Sequence, residues 1–119
     1  MHEVSLMSEI LDILAQSAAQ NNLQGISKVK LVVGSMTMAM PDALQFAFTS
    51  LKTEPLFHTD ALLEIEEKPT CSHCLSCGHT FTVKDNFHFV CPACGALTVE
   101  IISGRELYIA HYEAEEPAS

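Results

Sequence analysis

The cysteines carry the clearest chemical signal in this sequence. All five lie between Cys71 and Cys94, in the segments Cys-Ser-His-Cys-Leu-Ser-Cys-Gly-His and Cys-Pro-Ala-Cys-Gly. Two residues between paired cysteines allow a tight turn to direct both sulfurs at one ion, and two such turns can form a tetrahedral four-sulfur site. Zinc is the usual occupant of such a site. The spacing therefore predicts a structural zinc centre.

The first turn could use either Cys71 with Cys74 or Cys74 with Cys77. The positions of the glycines distinguish between these two pairs. Gly78 follows Cys77 and Gly95 follows Cys94. At this position the turn needs a positive φ and lets backbone N–H groups approach the sulfurs. Cys71 is then left over. The predicted zinc ligands are Cys74, Cys77, Cys91 and Cys94.

Disulfides and iron are the competing interpretations of these cysteines. A disulfide framework would leave one cysteine unpaired, and we find no secretory signal that would direct the chain to an oxidising compartment. Iron–sulfur ligation is disfavoured because no fourth cysteine follows the three-cysteine run at ferredoxin spacing. Three histidines also lie near the cysteines, His73, His79 and His88. Exchange of one thiolate for the His79 imidazole is a hypothesis based on proximity in sequence alone.

A second group of potential metal ligands stands at the amino terminus, Met1-His2-Glu3. An α-amine, deprotonated backbone amides and a neighbouring imidazole can form fused chelate rings around Ni(II) or Cu(II), which favour planar nitrogen donors. A histidine at position 3 does this unaided, whereas His2 must be positioned by the fold. Glu3 can equally be a helix-start carboxylate favoured by the helix dipole. The residue types alone therefore leave this site open.

Composition limits the class of protein. Of the 119 residues, 48% are hydrophobic, which is enough for one domain with a metal-stapled insert. Six basic residues against fifteen acidic ones give a net charge of −9, the wrong sign for binding a phosphate backbone. No apolar run is long enough to cross a bilayer, so we expect a cytoplasmic protein. No catalytic triad, phosphate loop or acid–base carboxylate pair is recognisable, which predicts a non-enzyme.

Two helices and several strands are expected to position these ligands. Apolar residues recur at helical spacing over residues 4–20 and 41–51, and Pro41 suits the first position of the second helix. Residues 28–33 alternate as a half-buried strand that ends at Gly34. Further strand candidates follow at residues 61–66, 81–83, 87–90, 97–102 and 106–112, and 81–83 with 87–90 could form a short hairpin. The acidic segment 113–119 is typical of a solvated tail.

These elements predict an α+β fold, in which a small mixed β-sheet with two helices is interrupted by a zinc-ribbon insert. The strands on the two sides of the cysteine segment would complete one sheet. The metal would then replace a hydrophobic core in the insert.

The order of these motifs resembles the HypA/HybF family of nickel metallochaperones, which act in maturation of nickel–iron hydrogenase. The chain begins Met1-His2-Glu3, enters a helix directly, and continues through a strand ending at Gly34 and a helix beginning at Pro41. Paired Cys-x-x-Cys turns then precede a short β tail. The resemblance covers nearly the whole chain, and it implies a protein that carries nickel rather than one that catalyses a reaction.

The resemblance also implies site residues and partners. Ni(II) would be held by the Met1 amine, the backbone amides of His2 and Glu3, and the His2 side chain. Structural zinc would be held by the four cysteines named above. The implied partners are a nickel-handling GTPase of the same pathway and the hydrogenase large-subunit precursor. The oligomeric state, monomer or homodimer, stays open.

On this basis three segments are expected. Residues 1–68 would form the first part of a nickel-binding domain, residues 69–96 a zinc-binding domain, and residues 97–119 strands that return to the nickel-binding domain and then an acidic tail. The competing functions are a zinc-ribbon adaptor indifferent to nickel and a nucleic-acid-binding ribbon. Salt-sensitive retention on DNA or RNA would identify the latter.

Overall fold

The computed structural model describes residues 3–83 and 89–117. In chain order the elements are α1 (Glu3–Gln20), β1 (Leu23–Gly34), a short 3-10 turn (Ser35–Thr37), α2 (Pro41–Leu51), β2 (Phe57–Lys68), β3 (Cys71–Cys74), β4 (Thr80–Thr82), β5 (Val99–Ser103) and β6 (Leu107–Pro117). None of the helices in the described ranges is long and apolar enough to cross a membrane. The predicted α+β class, two helices with small sheets, is confirmed.

The chain divides into two compact units, and neither is a continuous stretch. Unit 1 combines residues 1–32, 39–66 and 108–119. Unit 2 combines residues 33–38 and 67–107. The segment that carries the cysteines therefore shares unit 2 with a short piece of chain from the end of β1 and the 3-10 turn.

Both helices of unit 1 form where the apolar spacing predicted them. The inward face of α1 is buried at the five predicted positions, Met7, Ile10, Leu11, Leu14 and Ala18. α2 starts with Pro41 in its first turn, where the missing N–H of proline has no helical partner in any case. It buries Leu44, Ala47 and Phe48 and packs against α1. The apolar stripe of each helix thus supplies one layer of the core.

The sheet of unit 1 supplies the other layer, in the strand order β2-β1-β6. Val29 and Leu31 of β1 are completely buried, and Phe57 of β2 meets the Phe48 ring edge-on at a centroid distance of 5.6 Å. Edge-to-face packing is a favoured aromatic geometry. The carboxyl-terminal segment that was predicted as a solvated tail extends β6 as far as Pro117, and its residues Glu113, Glu115 and Pro117 are exposed, so it is a solvated part of a strand and not an irregular tail. Pairing with β1 orders this segment despite its acidic composition.

The sheet of unit 2 has the strand order β4-β3-β5, and both neighbours run antiparallel to β3. The sequence predicted that residues 81–83 would pair with residues 87–90. In the structure β4 pairs with β3 instead, with Ser72 opposite Phe81. Residues 87 and 88 lie outside the described part of the chain. β3 was not anticipated because its sequence, Cys-Ser-His-Cys, lacks the β-branched and aromatic residues by which strands are recognised.

β5 lies in a different sheet from the one that the sequence suggested. The division by sequence placed residues 97–119 with the first domain, whereas β5 pairs with β3, matching Ser72 with Ile101 and Cys74 with Val99. Only β6 joins the sheet of unit 1. Both strands have similar apolar patterns, so the alternation of residues could not tell which partner strand each would choose.

Gly34 lies where two backbone segments of unit 2 approach closely. A Cβ atom at this position would stand 2.2 Å from the Gly104 carbonyl oxygen and 2.7 Å from the Glu106 nitrogen. The same approach allows Gly34 N–H to donate to the Glu106 carbonyl at 2.6 Å, and Met36 N–H to donate to the Gly104 carbonyl at 2.8 Å. Only glycine permits both hydrogen bonds.

We therefore expect Gly34→Ala to lower the free energy of unfolding by about 3 kcal/mol, because the backbone must move apart and break these bonds. Urea unfolding followed by circular dichroism measures the change. The control is Ser35→Ala, which removes the 2.5 Å hydrogen bond to the Thr70 hydroxyl without a clash, and it should cost only about 1 kcal/mol. Equal stability of Gly34→Ala and the parent protein would contradict the close approach.

Candidate metal centre

The first cysteine turn begins at the end of β3. Cys74 N–H donates to the His79 carbonyl at 2.8 Å, and Gly78 N–H donates back to the Cys74 carbonyl at 2.9 Å. Cys77 N–H points at the Cys74 sulfur across 3.5 Å. Gly78 has φ +80°, with no atom within 4 Å of where its Cβ would be. Glycine is needed here for its backbone conformation, as the sequence indicated, and not for space.

The second turn repeats this pattern around Cys91 and Cys94. Cys91 N–H donates to the Ala96 carbonyl at 3.0 Å, Gly95 N–H donates to the Cys91 carbonyl at 2.8 Å, and Gly95 has φ +75°. Two copies of one turn therefore present their sulfurs in equivalent ways, as in zinc knuckles.

Thr98 forms two hydrogen bonds to the first turn. Its carbonyl accepts Leu75 N–H at 2.9 Å, and its hydroxyl bonds to the Ser76 hydroxyl at 2.8 Å. Nothing in the sequence indicates this contact, because a threonine that lies more than 20 residues from its partner gives no local signal. The register of β5 against β3 brings it there.

The four predicted sulfurs come together. Those of Cys74, Cys77, Cys91 and Cys94 all lie within 4.8 Å of one another. Two of the distances are 3.6 Å, between Cys74 and Cys94 and between Cys77 and Cys91. A tetrahedral ion with bonds of about 2.3 Å to sulfur requires sulfur–sulfur distances of about 3.8 Å. The cluster fits a zinc-sized tetrahedral ion.

The protonation states also favour a cation in this cluster. The Cys77 amide is the main cause that lowers the pKa of Cys74 from 9.0 to about 6, since it donates a hydrogen bond to the thiolate. At Cys94 the Ala96 amide acts in the same direction, but the neighbouring Cys74 thiolate and desolvation outweigh it and raise the pKa to about 12. Without a metal the cluster can hold few negative charges. A divalent cation would relieve this repulsion and allow all four thiolates.

Cys71 and the nearby histidines lie outside this cluster. The Cys71 sulfur is 3.8 Å from the Thr82 hydroxyl oxygen, across the β3–β4 pair. His73 makes a 3.2 Å hydrogen bond to the Thr80 hydroxyl, and the His79 ring stacks on Phe81 at a centroid distance of 6.1 Å. His79 contributes its backbone carbonyl to the turn, and its ring is not in the ligand group. His88 lies outside the described residues.

The predicted nickel ligands are only partly described. Met1 and His2 lie outside the described residues, and Glu3 is the first residue of α1. The Glu3 carboxylate accepts a hydrogen bond from Met40 N–H at 3.1 Å. This contact joins the start of α1 to the residue immediately before α2. It connects residues 37 positions apart, so nothing in the sequence indicated it.

Comparison with known proteins gives consistent matches over the whole chain. A family model described as HypA, hydrogenase/urease nickel incorporation, metallochaperone, matches residues 1–114. The hydrogenase maturation factor HypA of Moorella thermoacetica is 44% identical over 115 residues, covering 97% of this chain and 100% of that protein. The corresponding factor of Lawsonia intracellularis is 38% identical over 119 residues, with coverage of 97% and 100%.

Two solved structures are similar as well. The solution structure of the Ni metallochaperone HypA from Helicobacter pylori has a TM-score of 0.65 and 26% sequence identity, covering 100% of both chains. A second solution structure of a HypA protein has a TM-score of 0.68 and 26% identity, covering 97% of each chain. The similarity therefore extends from the amino acid sequence to the arrangement of helices and sheets.

Proposed function

This chain belongs to the HypA family of hydrogenase and urease nickel-incorporation metallochaperones, and we propose that it binds Ni(II) at its amino terminus and delivers the ion for maturation of nickel–iron hydrogenase. Members of this family are metallochaperones and not enzymes. The observation that carries the proposal is the match over residues 1–114, which includes the Met1-His2-Glu3 chelate and both cysteine turns.

The proposed nickel ligands are the Met1 amine, the backbone amides of His2 and Glu3, and the His2 imidazole. Planar nitrogen donors of this kind suit Ni(II). The hydrogen bond from Met40 to the Glu3 carboxylate supports the proposal, because it holds the residue whose backbone nitrogen is the last of the proposed ligands along the chain. In this proposal the Glu3 backbone nitrogen would bind nickel, while its side chain accepts the Met40 N–H at the start of α1.

Release of the ion follows from the same chemistry. Amide nitrogens must lose their protons to bind Ni(II), so the affinity falls as the pH falls. Reprotonation, or capture of the ion by ligands of a partner, would then discharge the metal. A carrier needs such a reversible site, whereas a structural ion is held permanently.

Zinc is the proposed occupant of the four-cysteine cluster, with a structural role. The sulfur–sulfur distances of 3.6 Å support it, and so does the pairing of two buried and two exposed cysteines. The described part of unit 2 has little apolar core of its own, with Val33, Cys74, Val83 and Cys91 as its buried apolar residues. The metal would therefore supply much of its folding free energy.

Unit 1 would thus handle nickel, and unit 2 would be held together by zinc. The proposed partners are a nickel-handling GTPase of the maturation pathway and the hydrogenase large-subunit precursor. A reducing, cytoplasmic setting is part of the proposal, because none of the five cysteines forms a disulfide and thiolate ligands persist in such a compartment.

The decisive experiment is a calorimetric Ni(II) titration of the untagged protein beside the same protein carrying an acetyl group on its α-amine. An acetylated amine cannot coordinate the ion, so we expect nickel binding to be lost while the zinc content stays unchanged. Zinc content by mass spectrometry is the control for folding. Nickel binding that is the same in both proteins would overturn the proposal and favour an adaptor function.

A further inference from the structure

The two edge strands of the unit 1 sheet, β2 and β6, are protected differently. Along β2, the Gln45 side-chain amide donates to the Leu63 carbonyl at 2.6 Å. The Lys52 ammonium group donates to the carbonyls of Thr59 at 2.8 Å and Ala61 at 3.3 Å. These are alternate carbonyls, which point to the same side of a strand. Side chains at the end of α2 and within it therefore occupy the β2 edge and prevent another strand from adding there.

The outer edge of β6 has no such cover in the described ranges. β6 pairs on one side with β1, and Ser27 of β1 reaches the Glu113 carbonyl from that same side. The Tyr112 hydroxyl contacts Ser17 of α1 through side chains only. Six of the strand residues whose burial is described are exposed, Tyr108, Ala110, His111, Glu113, Glu115 and Pro117. An uncovered row of backbone donors and acceptors is a template for another strand.

The sheet surface beside this edge is acidic. Lys28 lies between Glu64 of β2, at 3.4 Å, and Glu113 of β6, at 3.6 Å. Lys30 lies 3.2 Å from Glu66. The three carboxylates that these lysines contact are partly exposed to solvent, with side-chain exposures from 39% to 59%. The ammonium groups of Lys28 and Lys30 do not neutralise this surface, because further carboxylates lie near His58.

A polar cavity continues the acidic surface. It has a volume of 460 Å³ and is lined by Ser27, His58, Thr59, Asp60 and Glu115. The Glu115 carboxylate lies 3.2 Å from His58 Nε2 and is 64% exposed. Together, the lining and the ion pairs place five carboxylates against two lysines on this surface. Positively charged side chains of a partner would find complementary charge here.

We propose that an extended, basic segment of a partner protein binds along the outer edge of β6 as a fourth strand of this sheet. Its backbone would bond to β6, and every second side chain would lie over the carboxylates of Glu113 and Glu115. A second copy of this chain is a poorer occupant, because its net charge is −9 and it would bring acidic surfaces together. This docking edge uses neither residues 1–3 nor the cysteines, so it does not depend on the proposed function.

The test uses the full-length protein and a blocked octapeptide of alternating lysine and valine. We expect calorimetry to detect binding, and amide hydrogen exchange by NMR to show new protection within residues 108–117 and none in β2. A copy of the peptide with N-methylated valines lacks half of the backbone donors, so it should bind about tenfold more weakly or not at all. An acidic peptide of alternating glutamate and valine should not bind.

Two double variants distinguish the effect of charges beside β6 on peptide affinity from the effect of the net charge of the protein. Glu113→Gln with Glu115→Gln should weaken binding of the lysine peptide about fivefold, by removing two surface charges next to the edge. The matched control, Glu9→Gln with Asp12→Asn on the exposed face of α1, makes the same change in net charge and should leave the affinity unaltered. Protection in β2 or unit 2, equal binding of the acidic peptide, or a protein dimer with β6 protected before peptide is added would each overturn the proposal.

Discussion

Cys91→Ser is expected to abolish metal binding at the four-cysteine cluster and to unfold unit 2. Cys91 is 1% exposed, and its sulfur is 3.6 Å from that of Cys77. A hydroxyl is a poor ligand for zinc, and a structural ion contributes about 10 to 16 kcal/mol of binding free energy that the fold of a small metal-stapled unit depends on. Mass spectrometry would report the loss of about one zinc per chain, and hydrogen exchange the loss of protection in β3, β4 and β5.

Cys71→Ser is the matched control, since it changes the same atom outside the cluster. It should keep one metal per chain and four sulfurs around it, as measured by X-ray absorption at the zinc edge. The parent protein should likewise keep four sulfurs from pH 5 to 8, because the His79 ring stacks on Phe81. A cluster that keeps its metal in Cys91→Ser, or loses it in Cys71→Ser, would contradict the ligand assignment.

His2→Ala and Glu3→Gln are expected to differ strongly in their effect on Ni(II) affinity, although the residues are adjacent. Loss of the His2 imidazole removes a ligand and should weaken Ni(II) binding by about 100-fold or more, since loss of even an outer-shell partner costs about 10- to 100-fold. Glu3→Gln keeps the backbone nitrogen that is proposed to bind nickel. Its amide oxygen can still accept the Met40 N–H, so Ni(II) affinity should change only slightly.

Calorimetric titration at constant pH measures both affinities, with circular dichroism of α1 as the check on folding. Glu3→Ala extends the comparison, because it removes the acceptor of the 3.1 Å hydrogen bond and should weaken nickel binding only indirectly, by loosening the start of the helix. A loss in Glu3→Gln as large as that in His2→Ala would show that the carboxylate itself binds the ion.

The local elements followed closely from the sequence. Apolar residues at helical spacing predicted α1 to within one residue, and Pro41 marked the start of α2. Glycines after Cys77 and Cys94 selected the ligand pairs, because the turn requires a positive φ that other residues adopt only at a cost. These features depend on neighbours in the chain, so the chain alone contains them.

Strand partners were decided by the tertiary structure. The sequence did not indicate that β5 would join β3 while β6 joined β1, or that the acidic residues after Glu113 would continue a strand. An alternating pattern fixes which face of a strand is buried, but the partner is chosen by packing between residues far apart in the chain.

What the sequence by itself determined is the chemistry of the cysteine turns, namely the cysteine spacing and the glycines that shape the turns. What only the tertiary structure decided is the setting of that chemistry. It brought together four sulfurs from two turns, joined Glu3 to Met40 and, among the described residues, covered the β2 edge of the unit 1 sheet but not the β6 edge. The physical reason is that ligand types and backbone conformations are local properties, whereas distances between remote residues depend on how the whole core packs.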